Sequence, residues 1–203
     1  MTRSAWLVLL LTSLLMVGPA AGQTLSGESL VNALRQGGYV LVMRHTSSPR
    51  EAPTTSSANA DNVKLERQLD ETGRSTATAM GNALRRLKIP IGSILTSPTY
   101  RALETVRFAQ LPNPRIQAEL GDGGQSMGGV TGAQSAWLKQ QVLVLPRGTN
   151  TLLVTHLPNM AAAFPQETAS LSDGETLVFH ADGAGGRTLV ARIKVEQWPT
   201  LQP

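Results

Sequence analysis

The chain has 203 residues, 41% hydrophobic and 16% charged, a balance that supports one packed domain and excludes a disordered chain. It has no cysteine, which excludes disulfides, thiolate metal sites and a cysteine nucleophile. Lys+Arg of 18 against Asp+Glu of 14 gives a formal +4, a small excess that suits an anionic substrate. With 4% aromatics and no basic run interleaved with them, the composition points away from nucleic acid.

The first 22 residues read as a secretory signal. Arg3 supplies the positive start, residues 5–17 are almost all apolar, and Gly18-Pro19-Ala20-Ala21-Gly22 offers small residues for cleavage. The apolar run is short for a membrane span, and no later run is long enough for one. The expectation is cleavage after Gly22, a periplasmic or secreted location, no stable membrane span afterwards, and a single domain over residues 23–203. Losing Arg3 takes one from the 18 basic residues and leaves a formal +3.

In residues 25–36, Leu30, Val31 and Leu34 fall on one side of a short helix that Gly37-Gly38 ends. Residues 39–43 form a continuous apolar run, the pattern of a buried parallel strand, and Arg44-His45 follow directly. Residues 46–67 are polar and too long for a simple connector, which predicts a functional or mobile loop. Asp70 can cap a helix in which Ala77, Met80, Leu84 and Leu87 keep helical spacing up to Lys88; Pro90 stops it.

Residues 91–96 are a second strand, broken by Ser97-Pro98, and residues 99–110 read as a helix ended by Pro112 and Pro114. Residues 121–132 hold six glycines and predict an open loop. Residues 133–145 are a further helix anchored by Trp137 and Leu138, and residues 151–155 a third buried strand ending at His156. Residues 176–179 and 188–195 pair around a turn at 182–186. The alternation predicts an α/β fold, a three-layer α/β/α sandwich with a mainly parallel sheet. Ligands in such sheets bind beyond the carboxyl ends of the strands. Arg44-His45, the segment from Ser97 to Arg101, and His156 stand at three such ends.

A neutral imidazole is a good nucleophile toward phosphorus, and its reference pKa near 6.5 leaves much of His45 neutral at pH 7. Arg44 beside it can grip phosphate oxygens. The Ser97-Pro98 corner can start a helix whose N-terminus favours anions, with Arg101 in its first turn. His156 can donate a hydrogen bond to a transferred phosphate. His180 stands near the tip of the last strand pair and reads as a surface residue.

Arg44-His45-Thr46, the segment from Arg67 to Arg74, the segment from Ser97 to Thr105, and Thr155-His156-Leu157-Pro158 together resemble the ordered motifs of the histidine phosphatase superfamily, also called phosphoglycerate-mutase-like. Gly174-Glu175 and the closing residues through Trp198 are similar to that family's last strand pair. The resemblance implies that His45 is the phosphorylated nucleophile and that Arg44, Arg101 and His156 complete a phosphate pocket. It implies no metal or organic cofactor, and a phosphorylated small molecule, glycan or protein as substrate. Arg50 can add a phosphate contact, whereas Arg67 reads as structural. Glu119 is the first choice for proton donor, with Asp122 second. The departures are Thr46 and Leu157 in place of usual glycines, and Asn159 where the phytase-like branch carries an acid. The expected activity is an exported phosphomonoester hydrolase; the alternative is an inactive phosphate-ligand binder of the same fold.

Overall fold

Ser26 caps α1 (Gly27–Gln36), which buries Leu30, Val31 and Leu34. The helix ends at Gly37, whose φ of 78° and close approach to the Thr149 backbone both require a residue without Cβ. These and the features below come from a computed structural model that describes residues 24–123 and 129–202. The expected signal, residues 1–22, lies outside them.

The chain continues through β1 (Tyr39–Arg44), α2 (Glu71–Arg86), β2 (Ile91–Thr96), α3 (Tyr100–Phe108), β3 (Arg115–Ile116), α4 (Gly132–Gln141), β4 (Asn150–Thr155), α5 (Leu157–Ala163), β5 (Thr176–Ala181) and β6 (Arg187–Ile193). The sheet order is β3-β2-β4-β1-β5-β6. The first four strands are mutually parallel, and β5 and β6 add an antiparallel pair at one edge. Alternating side chains of β1 feed two cores, Leu41 and Met43 on one face, Val40 and Val42 on the other. The first core packs α1, α2, α3 and Trp198; the second packs α4 and α5. The architecture is therefore the expected α/β/α sandwich. Among the described residues no helix is long and apolar enough to cross a membrane.

Several local expectations give way to the structure. Helix α5 follows β4 directly, where the sequence reading places no element; Pro158 sits in its first turn, where its missing N–H leaves no bond unmade. Helix α4 ends at Gln141 rather than at residue 145, and Val144 and Leu145 are exposed, so no buried face extends it. The glycine-rich segment starts buried at Gly121 and Asp122 rather than open.

Residues 46–67 are tied down rather than loose. Asp70 caps α2 by accepting from the Gly73 amide at 2.7 Å, and its other oxygen accepts from Ser47 Oγ at 2.6 Å. Gly73 lies so close to the Ser47 backbone that a Cβ has no room. Buried Glu104 of α3 accepts from Asn59 Nδ2 at 2.8 Å and from the Leu69 amide at 2.6 Å. The loop after β1 is thus fastened to two helices, which fixes the backbone on either side of the strand end.

Candidate active site

The order β2-β4-β1 sets the three chemistry-bearing strand ends side by side. The hydrogen-bond ladder continues past them: the His45 amide donates to Thr155 O at 2.9 Å, and the Ser97 amide to Val154 O at 2.9 Å. His45, Ser97 and His156 are therefore placed by the sheet itself.

His45 is buried, 4% exposed, and its Nδ1 lies 2.8 Å from the Thr46 carbonyl. A carbonyl only accepts, so Nδ1 carries the proton and Nε2 keeps its lone pair. Burial pushes the His45 pKa down to about 3; the charges of Arg101, Arg44 and Arg67 act in the same direction, against the Thr46 hydrogen bond. Arg101 Nε donates to that lone pair at 3.2 Å.

His156 stands edge-on to His45, with ring centroids 5.2 Å apart. Its Nε2 lies 2.8 Å from Ser97 Oγ and 3.3 Å from Thr99 Oγ1. Its Nδ1 faces Arg101 Nη2 at 3.1 Å and Asp122 Oδ2 at 3.4 Å. Burial, then the neighbouring His45 and the arginines, hold its pKa well below 6.5. Both imidazoles are neutral at pH 7.

Two arginines of this site are paired with carboxylates. Arg101 Nη2 meets Asp122 Oδ2 at 2.5 Å, both side chains buried. Arg44 Nη2 meets Asp173 Oδ1 at 2.6 Å in a half-exposed pair, and its Nη1 donates to Leu171 O at 2.9 Å. Arg44 Nε is buried and has no hydrogen-bond partner among the described residues. Arg67 donates to Pro49 O and Ser48 O at 2.6 and 3.1 Å, a structural role, while its charge also lowers both histidines.

The structure thus brings His45, Arg101 and His156 into one cluster, with Arg44 beside it. Asp122 joins as the partner of Arg101. Glu119 lies half-buried on the 3-10 turn Ala118–Leu120, and its side chain makes no hydrogen bond or ion pair among the described residues. Its neighbours Ala118 and Gly121 line a cavity of about 550 Å³ together with Pro98, Thr99 and Lys64. Thr99 connects that cavity to His156. Arg50 is exposed on its loop, and no contact joins it to the cluster among the described residues.

Thr46 brings no strain in place of glycine, since it does not occupy a positive φ. It is buried, and its amide donates to Thr105 Oγ1 at 3.2 Å. Asn159, where the phytase-like branch has an acid, donates from Nδ2 to Gly121 O at 2.8 Å. His180 is half-buried against the Tyr39 ring rather than fully exposed.

Sequence reasoning missed the hydroxyls of Ser97 and Thr99 on His156, and Asp173 on Arg44. The two hydroxyls flank Pro98 directly after a strand, a placement that marks side chains aimed over the sheet end. Asp173 has no such local signal. Among the described residues no group of three or more His, Asp or Glu side chains is arranged to hold a metal ion.

The fold is that of the histidine phosphatase superfamily, the class whose motifs the sequence resembles. The chain is similar to the structure of the protein histidine phosphatase SixA complexed with tungstate, at 22% identity and TM-score 0.58, over 78% of this chain and 98% of that one. It is similar to the SixA protein of Nakamurella multipartitia at 22% identity and TM-score 0.53, over 77% of this chain and 95% of that one. It also resembles a phosphoserine phosphatase mutant from Entamoeba histolytica in complex with phosphoserine, at 13% identity and TM-score 0.53, over 78% of this chain and 98% of that one. No family model matches the sequence, and no curated protein matches it.

Proposed function

We propose that this chain hydrolyses phosphate monoesters through a phosphohistidine on His45. One observation carries the proposal: a buried, neutral imidazole, its proton held by the Thr46 carbonyl, presents its Nε2 lone pair to a buried guanidinium. In the reaction the incoming phosphoryl group takes over the Arg101 Nε–H, which frees the lone pair. Nε2 forms a bond to phosphorus while the bond from phosphorus to the ester oxygen breaks. Arg101, Arg44 and His156 hold the equatorial oxygens as charge develops. The departing oxygen takes its proton from Glu119, whose turn borders the cavity. Water then attacks the phosphohistidine, gives a proton back to the same carboxylate, and releases inorganic phosphate.

The substrate class is a phosphorylated small molecule, glycan or protein; a phosphohistidine phosphatase and a phosphoserine phosphatase of similar fold support a phosphorylated substrate. Residues 1–22 support export, with the mature chain working in the periplasm or outside the cell.

The test is turnover of p-nitrophenyl phosphate with and without EDTA. The wild type is expected to be active under both conditions, and His45→Ala to lose at least about 10³-fold in kcat. A His45→Ala enzyme as fast as the wild type would overturn the assignment. A folded wild type that binds tungstate but turns over no ester would instead favour the inactive phosphate binder.

A further inference from the structure

Asp122 is 3% exposed, and the chain around it is built to keep it there. Thr155 Oγ1 of β4 donates to Leu120 O at 2.7 Å. Asn159 of α5 and Gln134 of α4 each donate to Gly121 O at 2.8 Å. Three side chains from three elements therefore hold the two carbonyls that precede Asp122. The carboxylate so placed meets Arg101 Nη2 at 2.5 Å, while Arg101 Nε meets the nucleophilic nitrogen of His45 at 3.2 Å.

Stability alone does not account for such a pair. Two charges taken out of water are often no more stable than well-packed apolar side chains of the same volume. Orientation is a better account. A guanidinium is planar and rigid, so gripping one end fixes where its other N–H groups point. The grip on Nη2 determines the direction of Nε–H, and that N–H must pass from His45 to a phosphoryl oxygen as substrate arrives.

We infer that Asp122 is a positioning residue: its buried carboxylate fixes the Arg101 guanidinium so that Nε faces the reacting phosphorus. This rests on the proposed phosphatase reading and gives Asp122 a role other than proton donor. In this role Asp122 transfers no proton during the cycle.

The experiment uses Asp122→Asn in the full chain, with folding checked by circular dichroism. Tungstate affinity is measured by calorimetry, and kcat/KM on p-nitrophenyl phosphate and on phenyl phosphate, whose leaving group is poorer. Asp122→Asn makes the pocket one unit more positive, so a purely electrostatic role predicts tighter tungstate binding. Positioning predicts the opposite, with binding about tenfold weaker and kcat/KM about tenfold lower by the same factor on both esters. Unchanged or tighter tungstate binding overturns the inference. A loss confined to phenyl phosphate overturns it too, because that marks a proton donor. If the Asn variant does not fold, Asp122→Glu keeps the charge but displaces the guanidinium, and the same losses are expected. The tungstate measurement does not depend on turnover. Failure of the phosphatase reading, seen as an active His45→Ala enzyme, is therefore distinct from failure of this inference.

Discussion

Two arginine–carboxylate pairs flank His45, and burial separates them. Arg101 and Asp122 have side-chain exposures of 1% and 4%; Arg44 and Asp173 have 22% and 38%. The chemistry is the same in both. In the buried pair neither ion can separate without facing a dry interior, so the guanidinium is fixed. In the half-exposed pair water reaches part of each partner, although Arg44 Nε and Asp173 Oδ1 are themselves buried, so the guanidinium is held less firmly. The two guanidinium groups are therefore held to different degrees, Arg101 firmly and Arg44 more loosely.

The largest expected effect tests the held pair. Arg101→Ala leaves Asp122 buried without its guanidinium and is expected to destabilise the fold by about 3–5 kcal/mol, read by denaturant unfolding. Arg44→Ala, leaving Asp173 free to be solvated, is expected to change stability by no more than about 1 kcal/mol. Equal losses from the two variants would show that burial does not divide the pairs.

A smaller effect comes from the imidazole that the held guanidinium faces. The folded pKa of His45 is about 3, below its ordinary 6.5, so below pH 6.5 the unfolded chain takes up a proton that the folded chain refuses. The stability is complete above that pH and is lost progressively as pH falls toward 3. At pH 5 the loss from His45 alone is about 2 kcal/mol relative to pH 7. Thermal or denaturant unfolding at the two pH values checks it, with a smaller difference expected for His45→Asn. An equal pH dependence in that variant would mean that His45 is not held neutral by the fold.

The smallest effect sharpens the contrast by its sign. Asp173→Asn releases Arg44 from its carboxylate and is expected to tighten tungstate binding by about two- to fivefold, within the range of an exposed ion pair. Asp122→Asn is expected to weaken it. Calorimetry on the two variants, each removing one negative charge next to one arginine, gives opposite changes if the roles are divided as described.

Much of this was legible in the sequence for a physical reason. Buried parallel strands are short apolar runs, and the polar residues that interrupt them mark the sheet's carboxyl edge. Arg44-His45, Ser97 and His156 each follow such a run, so the α/β/α layering and the meeting of His45, Arg101 and His156 could be read along the chain. Interactions between distant segments could not. Nothing local shows that Asp122 lies under Arg101, that Asp173 reaches Arg44, or that Glu104 fastens the loop through Asn59 and Leu69. Helix α5 is short, Leu157–Ala163, and too brief for a helical period to show, although Pro158 suits its first turn. Arg50 shows the converse: a plausible residue type near His45 in sequence, but exposed on the loop in the fold.

The most direct measurement is acid- and base-quenched labelling with a substrate carrying radioactive phosphate, followed by mapping of the labelled peptide. A base-stable, acid-labile phosphoryl group on His45 is predicted, formed in the first turnover and absent from His45→Ala. Steady turnover with no trapped label, or a label on any other residue, would contradict the assignment of His45 as nucleophile.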